Sequence, residues 1–301
     1  MSFSGTVKEE LAEQINPARH CQLAELAALL HFCASTLDGG KHLCLDTENE
    51  AVARKCFTLF KKTFNIDNVV TGTKDRLLPD DESEMKVIQA LHLNGHAGNT
   101  ILLTTPVNSI LVKNSCCARA YLRGAFISIG SMSDPEKSYH LEFVCSESAQ
   151  ARQLKEIIQG FQIEAKVIKR KKYDVVYLKE GAGIVDLLNV MGAHVSLMNL
   201  ENLRIVKEMR NSINRRVNCE TANISKTVTA ASKQIEDILL VRDKYGFENL
   251  PDNLKQMAEI RLEHPDAALK ELGGYLEPPV GKSGVNHRLR RLSEIADGIR
   301  S

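Results

Sequence analysis

Apolar and polar positions along the first two hundred residues follow one pattern twice. A short alternating run at 42–45, typical of a half-buried strand, is followed at 52–60 by apolar residues at helical spacing. The same succession returns at 140–143 and 151–158, shifted by about 98 positions. The pattern therefore predicts two copies of one unit in which a strand precedes a helix.

Each copy continues with two further strand candidates. The predicted pairs are Ile66–Thr73 with Met85–Leu93 and Ile163–Lys169 with Tyr173–Leu178. The polar stretch 74–84 is predicted as an exposed loop inside the first pair. Both copies are thus expected to combine helices with a small sheet.

A helix rich in small residues precedes each copy. Leu26–Ala34 and Leu122–Gly130 mix alanine or glycine with large apolar side chains, and small residues let two helices approach closely. The two segments resemble degenerate copies of the LAGLIDADG motif, whose helices pack at the pseudo-two-fold axis of saddle-shaped homing endonucleases. The resemblance implies the order αββαββα in each repeat. A duplicated α/β domain unrelated to nucleic acid is the alternative for this part of the chain.

The eighth position of that motif bears on catalysis. In homing endonucleases it carries the acidic residue that binds the divalent metal ion, because Mg²⁺ requires carboxylate oxygens. This chain has Cys33 and Ile129 there, and Asp38 is typical of a turn. We therefore expect no catalytic residue, no bound metal and no nuclease activity.

The last third of the chain is predicted to be helical. Helices are expected at 252–263, at 266–275 with Asp266 as the cap, and from Ser283 onward. Three short helices, of which the last two are joined by a turn, predict a helix-turn-helix.

The last helix has an apolar face and a polar face. Apolar residues recur at helical spacing from Val285 to Ile299 and predict the buried side. On the polar side, arginine can bind guanine and asparagine adenine through paired hydrogen bonds, while lysine and N-terminal amides bind phosphate. The predicted DNA-contacting residues here are Lys282, Ser283, Asn286, His287, Arg290 and Arg291.

Basic residues are also concentrated ahead of this domain. Seven lysines and arginines accompany two glutamates between 204 and 233, a local charge of +5 in a chain of formal net charge +1. The stretch 210–223 is rich in asparagine, which can contact bases or cap turns. The predicted DNA contacts are Arg215, Arg216, Asn218 and Lys226, and a solvated helical linker is the alternative.

Composition restricts the compartment and the cofactors. With 43% hydrophobic and 26% charged residues, the 301-residue chain can bury the cores of about two domains. The N-terminus lacks a signal-peptide pattern and no apolar run reaches membrane length, so a cytoplasmic protein is expected. The eight cysteines show no framework and are predicted to be buried and unbridged. Cys116 and Cys117 have no nearby histidine in the sequence and are not expected to bind metal.

Taken in chain order, the segments resemble the WhiA family over nearly the whole chain. The resemblance rests on 214–220, 226–231, 269–272 and 282–289, which follow two decayed LAGLIDADG repeats. It implies a bacterial, non-catalytic transcriptional regulator associated with the nucleoid and linked to cell division, chromosome segregation and, in some lineages, sporulation. The alternatives are a platform that docks a sigma factor or RNA polymerase, and an active homing endonuclease.

The expected fold is therefore α+β. A duplicated saddle at 1–199, with repeats at about 20–105 and 114–199, precedes a basic connector at 200–225 and a helix-turn-helix domain at 226–301. Double-stranded DNA is the expected partner, and no cofactor is expected.

Overall fold

The computed structural model describes residues 2–45, 47, 49–71, 75–93 and 100–300. The chain divides into two compact units, Met1–Val206 (unit 1) and Lys207–Ser301 (unit 2). Unit 1 mixes helices and strands, whereas the described part of unit 2 is helical, which agrees with the expected α+β class.

Helices and short strands alternate along unit 1, and unit 2 continues with helices. In chain order, those before the long helix are α1 (Phe3–Glu13), α2 (Arg19–Cys33), β1 (Ser35–Leu37), β2 (His42–Cys44), α3 (Glu50–Phe64), α4 (Asp81–Ala90), α5 (Ser109–Val112), α6 (Ser115–Ile129), β3 (Gly130–Met132), β4 (Leu141–Cys145), α7 (Ser148–Gln159), β5 (Lys166–Arg170), β6 (Tyr173–Leu178) and α8 (Gly181–Met191). The remaining helices are α9 (His194–Lys244), α10 (Asp252–Glu263), α11 (Leu269–Gly274) and α12 (Lys282–Arg300), with a single 3₁₀ turn at Phe247–Asn249. Helix α9 has 51 residues and contributes to both units.

The second repeat has the full order implied by the LAGLIDADG resemblance. From α6 to α8 the elements run αββαββα, and the four strands form an antiparallel sheet in the order β3-β4-β6-β5. Phe143 lies opposite Val176 in the register, and its ring packs edge-on against Phe126 of α6, with 5.9 Å between centroids. The strands predicted at Ile163–Lys169 and Tyr173–Leu178 are confirmed as β5 and β6.

The first repeat departs from its predicted strands. Most of Met85–Leu93, predicted as a strand, belongs to helix α4. Asp80 caps this helix by accepting a hydrogen bond of 2.7 Å from the backbone N–H of Ser83, and acidic residues fill the first turn. The buried positions 84, 87, 88 and 91 recur at helical spacing. The strand prediction is wrong because capping and the period of burial both favour a helix.

A different segment extends the sheet of the first repeat. The backbone N–H of Leu77 donates to the carbonyl of Leu43 in β2 at 2.7 Å, and that of Val70 donates to the carbonyl of Leu77 at 3.0 Å. This order matches β4-β6-β5 in the second repeat. The segment predicted as a strand at Ile66–Thr73 has no regular strand up to 71, and its last two residues lie outside the described residues. The loop predicted at 74–84 is wrong in part, since Leu77 is buried and α4 begins within it.

Helices α2 and α6 pack closely in the centre of unit 1. A Cβ atom added to Gly124 of α6 would lie 2.6 Å from the carbonyl oxygen of Glu25 and 2.9 Å from Cβ of Ala28, both in α2. These distances are shorter than van der Waals contact, so no larger residue fits at this point without movement of the backbone. The close approach predicted from the small residues is confirmed.

A buried ionic network joins the elements around this helix pair. The Glu25 carboxylate lies 2.9 Å from the Lys55 ammonium of α3 and 3.4 Å from the Arg123 guanidinium of α6. Lys55 also donates to the carbonyl of Leu11 at 3.1 Å, and Arg123 to that of Met191 at 2.9 Å. Burial raises the pKa of Glu25 and lowers that of Lys55, while their mutual attraction opposes both shifts. The network connects α1, α2, α3, α6 and the end of α8.

Unit 2 packs α10, α11 and α12 against the last part of α9. Ile238, Leu272 and Leu289 are buried in its apolar core. The fully buried Asp237 of α9 pairs with Arg300 of α12 at 2.6 Å. The predicted helix at 252–263 is confirmed as α10.

The other two predicted helices of unit 2 have shifted starts. Helix α11 begins three residues later than expected, after Ala268, whose backbone N–H donates to the Glu271 side chain at 2.8 Å. Asp266, predicted as the cap, instead interacts with the charge of Arg261. The last helix, α12, begins one residue earlier than expected. The cap prediction is wrong because the helix begins at Leu269, so that the N-cap position falls on Ala268, two residues after Asp266.

The cysteines do not all match their predicted burial. All eight are free thiols, but Cys116 and Cys219 are exposed and Cys33 is half-buried. The Nδ1 atom of His20 lies 3.1 Å from the Cys117 sulfur. The sequence-based statement that no histidine is near Cys116 and Cys117 is therefore wrong, because the packing of α2 on α6 brings distant residues together.

Replacing Gly124 by alanine is expected to destabilise unit 1 by about 1 to 3 kcal/mol, as overpacked cores typically do. The matched control Gly183→Ala in α8 is expected to be neutral or slightly stabilising, because its Cβ would meet only two side chains, at 3.4 and 3.8 Å, which is ordinary van der Waals contact. Urea unfolding followed by far-ultraviolet circular dichroism measures both. Equal effects at the two sites would contradict the close helix contact.

Acid is expected to destabilise unit 1 through His31. Burial lowers the pKa of His31 from 6.5 to about 4, so the unfolded chain takes up a proton at a higher pH than the folded protein does. The stability that depends on the neutral imidazole is fully present above pH 6.5 and is lost as the pH falls toward 4. The loss amounts to roughly 3 kcal/mol. Unfolding free energies of the wild type and His31→Gln should differ in slope only across this interval, and parallel profiles would refute the assignment.

Candidate nucleic-acid interface

Helix α12 presents its predicted DNA-contacting residues on one side. Val285, Leu289 and Leu292 are buried against the rest of unit 2. The residues at 282, 286 and 290 form one exposed row spaced four apart, and those at 283, 287 and 291 form a second. All six predicted residues of this helix are therefore accessible on one face.

A basic groove runs beside the first of these rows. It has a volume of about 350 Å³ and brings Lys226 of α9 together with Lys282 and Asn286 of α12. Lys270 and Arg261 also line it, and none of the described lining residues is acidic. Three of the predicted site residues, far apart in the sequence, thus share one positively charged concave surface, which we call the basic groove.

Arg261 lies at the buried side of the basic groove. Its side chain is only 2% exposed, and one terminal nitrogen donates to the carbonyl of Ala267 at 2.7 Å. Its Nε atom has no hydrogen-bond partner among the described residues. Desolvation lowers the pKa of Arg261, and the nearby Asp266 opposes this shift. Arg261 therefore contributes positive charge beneath the surface of the groove, where the low polarity of the surroundings strengthens its field.

The middle of α12 lines a separate depression. His287 and Arg291 of the second row lie there with Arg290, the last member of the first row, and with Arg288. Glu294 pairs with Arg291 at 2.8 Å and with Arg290 at 3.4 Å. The hydrogen bond from Arg291 keeps the pKa of Glu294 below its usual value. Both guanidinium groups are therefore already held by an acid on the same helix.

The remaining predicted residues lie on α9 outside both depressions. Every residue from 208 to 230 of this helix is exposed, including Arg215, Arg216, Asn218 and Lys226. At about 100° per residue, Arg215 and Asn218 lie opposite the exposed apolar residues Ile213 and Val217, whereas Arg216 borders them. Only Lys226 joins the residues of α12 in a common groove.

The sequence analysis did not identify a further basic surface, which lies on strand β5. Strand β5 is exposed along its whole length, and five of the seven residues from 166 to 172 are lysine or arginine. Arg170 pairs with Glu142 at 2.9 Å, and the Lys172 ammonium lies over the Tyr173 ring at 5.2 Å. The charge run itself was a usable signal. Lys270 and Arg261 were also missed, and nothing in their local sequence marks them.

The two residues that the sequence analysis assigned to the eighth motif position lie at the ends of α2 and α6. Cys33 is the last residue of α2 and Ile129 the last of α6, and neither side chain carries a carboxylate. The ammonium group of Lys8 interacts with the Cys33 thiol, and burial lowers the pKa of Lys8.

Comparison with protein families matches three consecutive segments of the chain. They correspond to the WhiA N-terminal LAGLIDADG-like domain at 19–77, the WhiA LAGLIDADG-like domain at 118–210 and the WhiA C-terminal HTH domain at 213–296. The chain belongs to the WhiA family. The resemblance inferred from the sequence is thereby confirmed, with a helix-turn-helix domain following a LAGLIDADG-like part.

Individual WhiA relatives cover the whole chain. A protein of Lachnoclostridium phytofermentans named "Probable cell division protein WhiA" is 54% identical over 100% of both chains. One of the same name from Alkaliphilus oremlandii is 49% identical, over 98% of this chain and 97% of its own.

A solved structure supports the fold. The crystal structure of full-length DUF199/WhiA from Thermatoga maritima matches with a TM-score of 0.60 and 24% identity, over 99% of this chain and 98% of that one. Among the described residues, the helices include none with the length and hydropathy of a membrane span.

Proposed function

We propose that this protein is a non-catalytic regulator that binds double-stranded DNA through unit 2. The observation that carries the proposal is the basic groove, where Lys226, Lys282 and Asn286 converge without an acidic neighbour in the lining. Membership of the WhiA family with its C-terminal HTH domain supports the same function. The groove concentrates positive charge in a chain that is nearly neutral as a whole.

The residues divide into phosphate contacts and base contacts. Lysine is a mobile point charge that suits phosphate, so Lys226, Lys270 and Lys282 are assigned to the DNA backbone. The buried charge of Arg261 adds to the positive potential of the groove without a direct contact. Asn286 and Arg290 lie on the exposed face of α12, where their planar groups can read base edges in the major groove. Ser283, His287 and Arg291 complete this face.

Glu294 restrains two arginines of α12. It holds Arg290 and Arg291 in ion pairs when DNA is absent, so base contact requires exchange of one acceptor for another. Exposed ion pairs of this kind contribute only about 0 to 1 kcal/mol to stability. A guanine base can therefore replace Glu294 as the acceptor. The exposed Arg215, Arg216 and Asn218 of α9 are proposed to add contacts outside the basic groove.

Unit 1 is proposed to lack nuclease activity. The relatives are named cell division proteins, and both motif positions carry side chains without oxygen ligands, Cys33 and Ile129. The relatives' name favours a role in cell division. Chromosome segregation, sporulation and nucleoid association are proposed from the family resemblance alone.

A second candidate function for unit 1 is protein docking. Strand β5 is an exposed sheet edge with Val167 and Ile168 at 37% and 45% exposure, a surface to which a partner strand can be added. A sigma factor or RNA polymerase is the partner class we propose for it. Capture of the purified polymerase by wild-type protein, and its loss in Ile168→Asp, tests this alternative.

The first experiment is chromatin immunoprecipitation with sequencing of the native protein. Sharp peaks that share a sequence motif are expected if α12 reads bases. A profile identical to that of a strain that lacks the protein would contradict DNA binding in the cell. Enriched sequences then supply the specific duplex for the affinity measurements.

Alanine substitutions should separate the two kinds of contact. Arg290→Ala is expected to cost about 1 to 3 kcal/mol on the specific duplex and much less on unrelated DNA. Lys282→Ala and Lys226→Ala are expected to weaken binding to all sequences and to lower the salt slope by about 1 each. Fluorescence anisotropy of the full-length protein at several salt concentrations measures these effects.

Lys255→Ala is the matched control for the two groove lysines. Lys255 is exposed on α10 of the same unit but does not line the basic groove. If Lys255→Ala lost as much DNA affinity as Lys226→Ala and Lys282→Ala, the effect would come from the overall charge of the protein. That result would contradict the assignment of the basic groove as the DNA-binding surface.

Plasmid and chromosomal DNA are expected to stay intact when the full-length protein is incubated with Mg²⁺ or Mn²⁺. Introducing acids at both motif positions, as in Cys33→Asp with Ile129→Asp, offers a positive comparison for metal binding. The non-catalytic proposal would be overturned if the wild-type protein cleaved DNA and this cleavage persisted after purification to constant specific activity.

A further inference from the structure

Four side chains with metal-binding atoms meet between the first turns of α2 and α6. They are His20 and Cys21 of α2 and Cys116 and Cys117 of α6, and their ligand atoms all lie within 4.8 Å of one another. The His20 Nδ1 atom lies 3.1 Å from the Cys117 sulfur and 3.4 Å from the Cys21 sulfur. We call these residues the thiol cluster.

The thiol cluster lies where the two repeats meet. Cys116 and Cys117 follow His20 and Cys21 by 96 positions, the same shift that relates Gly124 to Ala28 at the close helix contact. Corresponding residues of two repeats can face each other only near the pseudo-two-fold axis. Both pairs therefore contribute to one site because of the duplication.

The distances suit a single tetrahedral ion. Zinc lies about 2.3 Å from a cysteine sulfur and about 2.0 Å from a histidine nitrogen, so tetrahedral ligands are roughly 3.5 to 3.8 Å apart. The measured separations at His20 lie close to this range. An iron–sulfur cluster places bridging sulfides and at least two irons between its thiolates, for which ligands within 4.8 Å leave no room.

Burial raises the pKa of the Cys21 and Cys117 thiols, so a cation has to take the place of their protons when they ionise. The position of the thiol cluster in the fold suits such a cation. Each pair occupies the second and third positions of its helix, where the helix dipole favours negative charge. Cys21 and Cys117 are buried beside Ala24 and Ala120 in a small apolar cluster separate from the main core. Cys116 and His20 are exposed, so an ion can enter from solvent.

We propose that His20, Cys21, Cys116 and Cys117 bind one Zn²⁺ ion that joins the first turns of α2 and α6. Three cysteines and one histidine form a closed coordination shell, which is typical of a structural zinc ion and leaves no position for a substrate. On binding, each thiol that becomes a ligand releases its proton to solvent, and the imidazole binds in its neutral form. The ion adds a strong bond where the packing consists of small side chains.

Metal analysis of the full-length protein tests the site without reference to DNA. Protein purified under reducing conditions without chelators is expected to contain about one zinc per chain. Cys117→Ser and Cys21→Ser are expected to lose most of it, whereas the control Cys219→Ser, an exposed cysteine of unit 2, is expected to retain it. Zinc content that is unchanged in both cluster variants would overturn the proposal.

Cobalt substitution keeps the test valid if a variant fails to fold. Titration of metal-free wild-type protein with Co²⁺ is expected to produce thiolate charge-transfer bands and the intense visible bands of tetrahedral cobalt, saturating at about one equivalent. Zinc should displace these bands and raise the melting temperature of the wild type. A spectrum of octahedral cobalt, or a native disulfide between α2 and α6 in mass spectrometry, would contradict the zinc site.

Discussion

The close contact between α2 and α6 sets the geometry of unit 1. At Gly124 the two backbones approach to a distance that excludes even one methyl group, and the buried Glu25 network extends this contact to α1, α3 and the end of α8. Strands β1 and β3 begin within two residues after these helices, so the position of the helix pair also determines where each sheet starts. The thiol cluster lies at the other end of the same pair, where the duplication places matching residues opposite each other.

Unit 2 has a different physical basis, because its proposed function depends on charge that is gathered locally. The formal net charge of the chain is only +1, yet the basic groove has no acidic residue among its described lining residues. Four helices, α9 to α12, supply the cations, and their packing around Ile238, Leu272 and Leu289 holds them at fixed separations. On the exposed face of α12, by contrast, the acidic residue Glu294 pairs with two arginines of the same helix and keeps them in place.

Much of the fold could be predicted because its signals are local. Helical periodicity located α3, α7 and α12, the runs of small and apolar residues located α2 and α6, and alternation located β2 and β4. The failures have identifiable causes. Met85–Leu93 contains enough β-branched and apolar residues to suggest a strand, but capping by Asp80 and burial at helical spacing decide for a helix. In α11 the helix begins at Leu269, too far along the chain for Asp266 to be its N-cap residue.

The sequence by itself determined the duplication, the small-residue helix pair, the absence of acids at Cys33 and Ile129, and the exposed polar face of α12. Each of these depends on residue identity or on a period within one element. Only the tertiary structure decided that Lys226 joins Lys282 and Asn286 in one groove, and that His20 and Cys21 meet Cys116 and Cys117. These sites combine residues from different helices, and spacing along the chain carries no information about distances that are set by how helices pack.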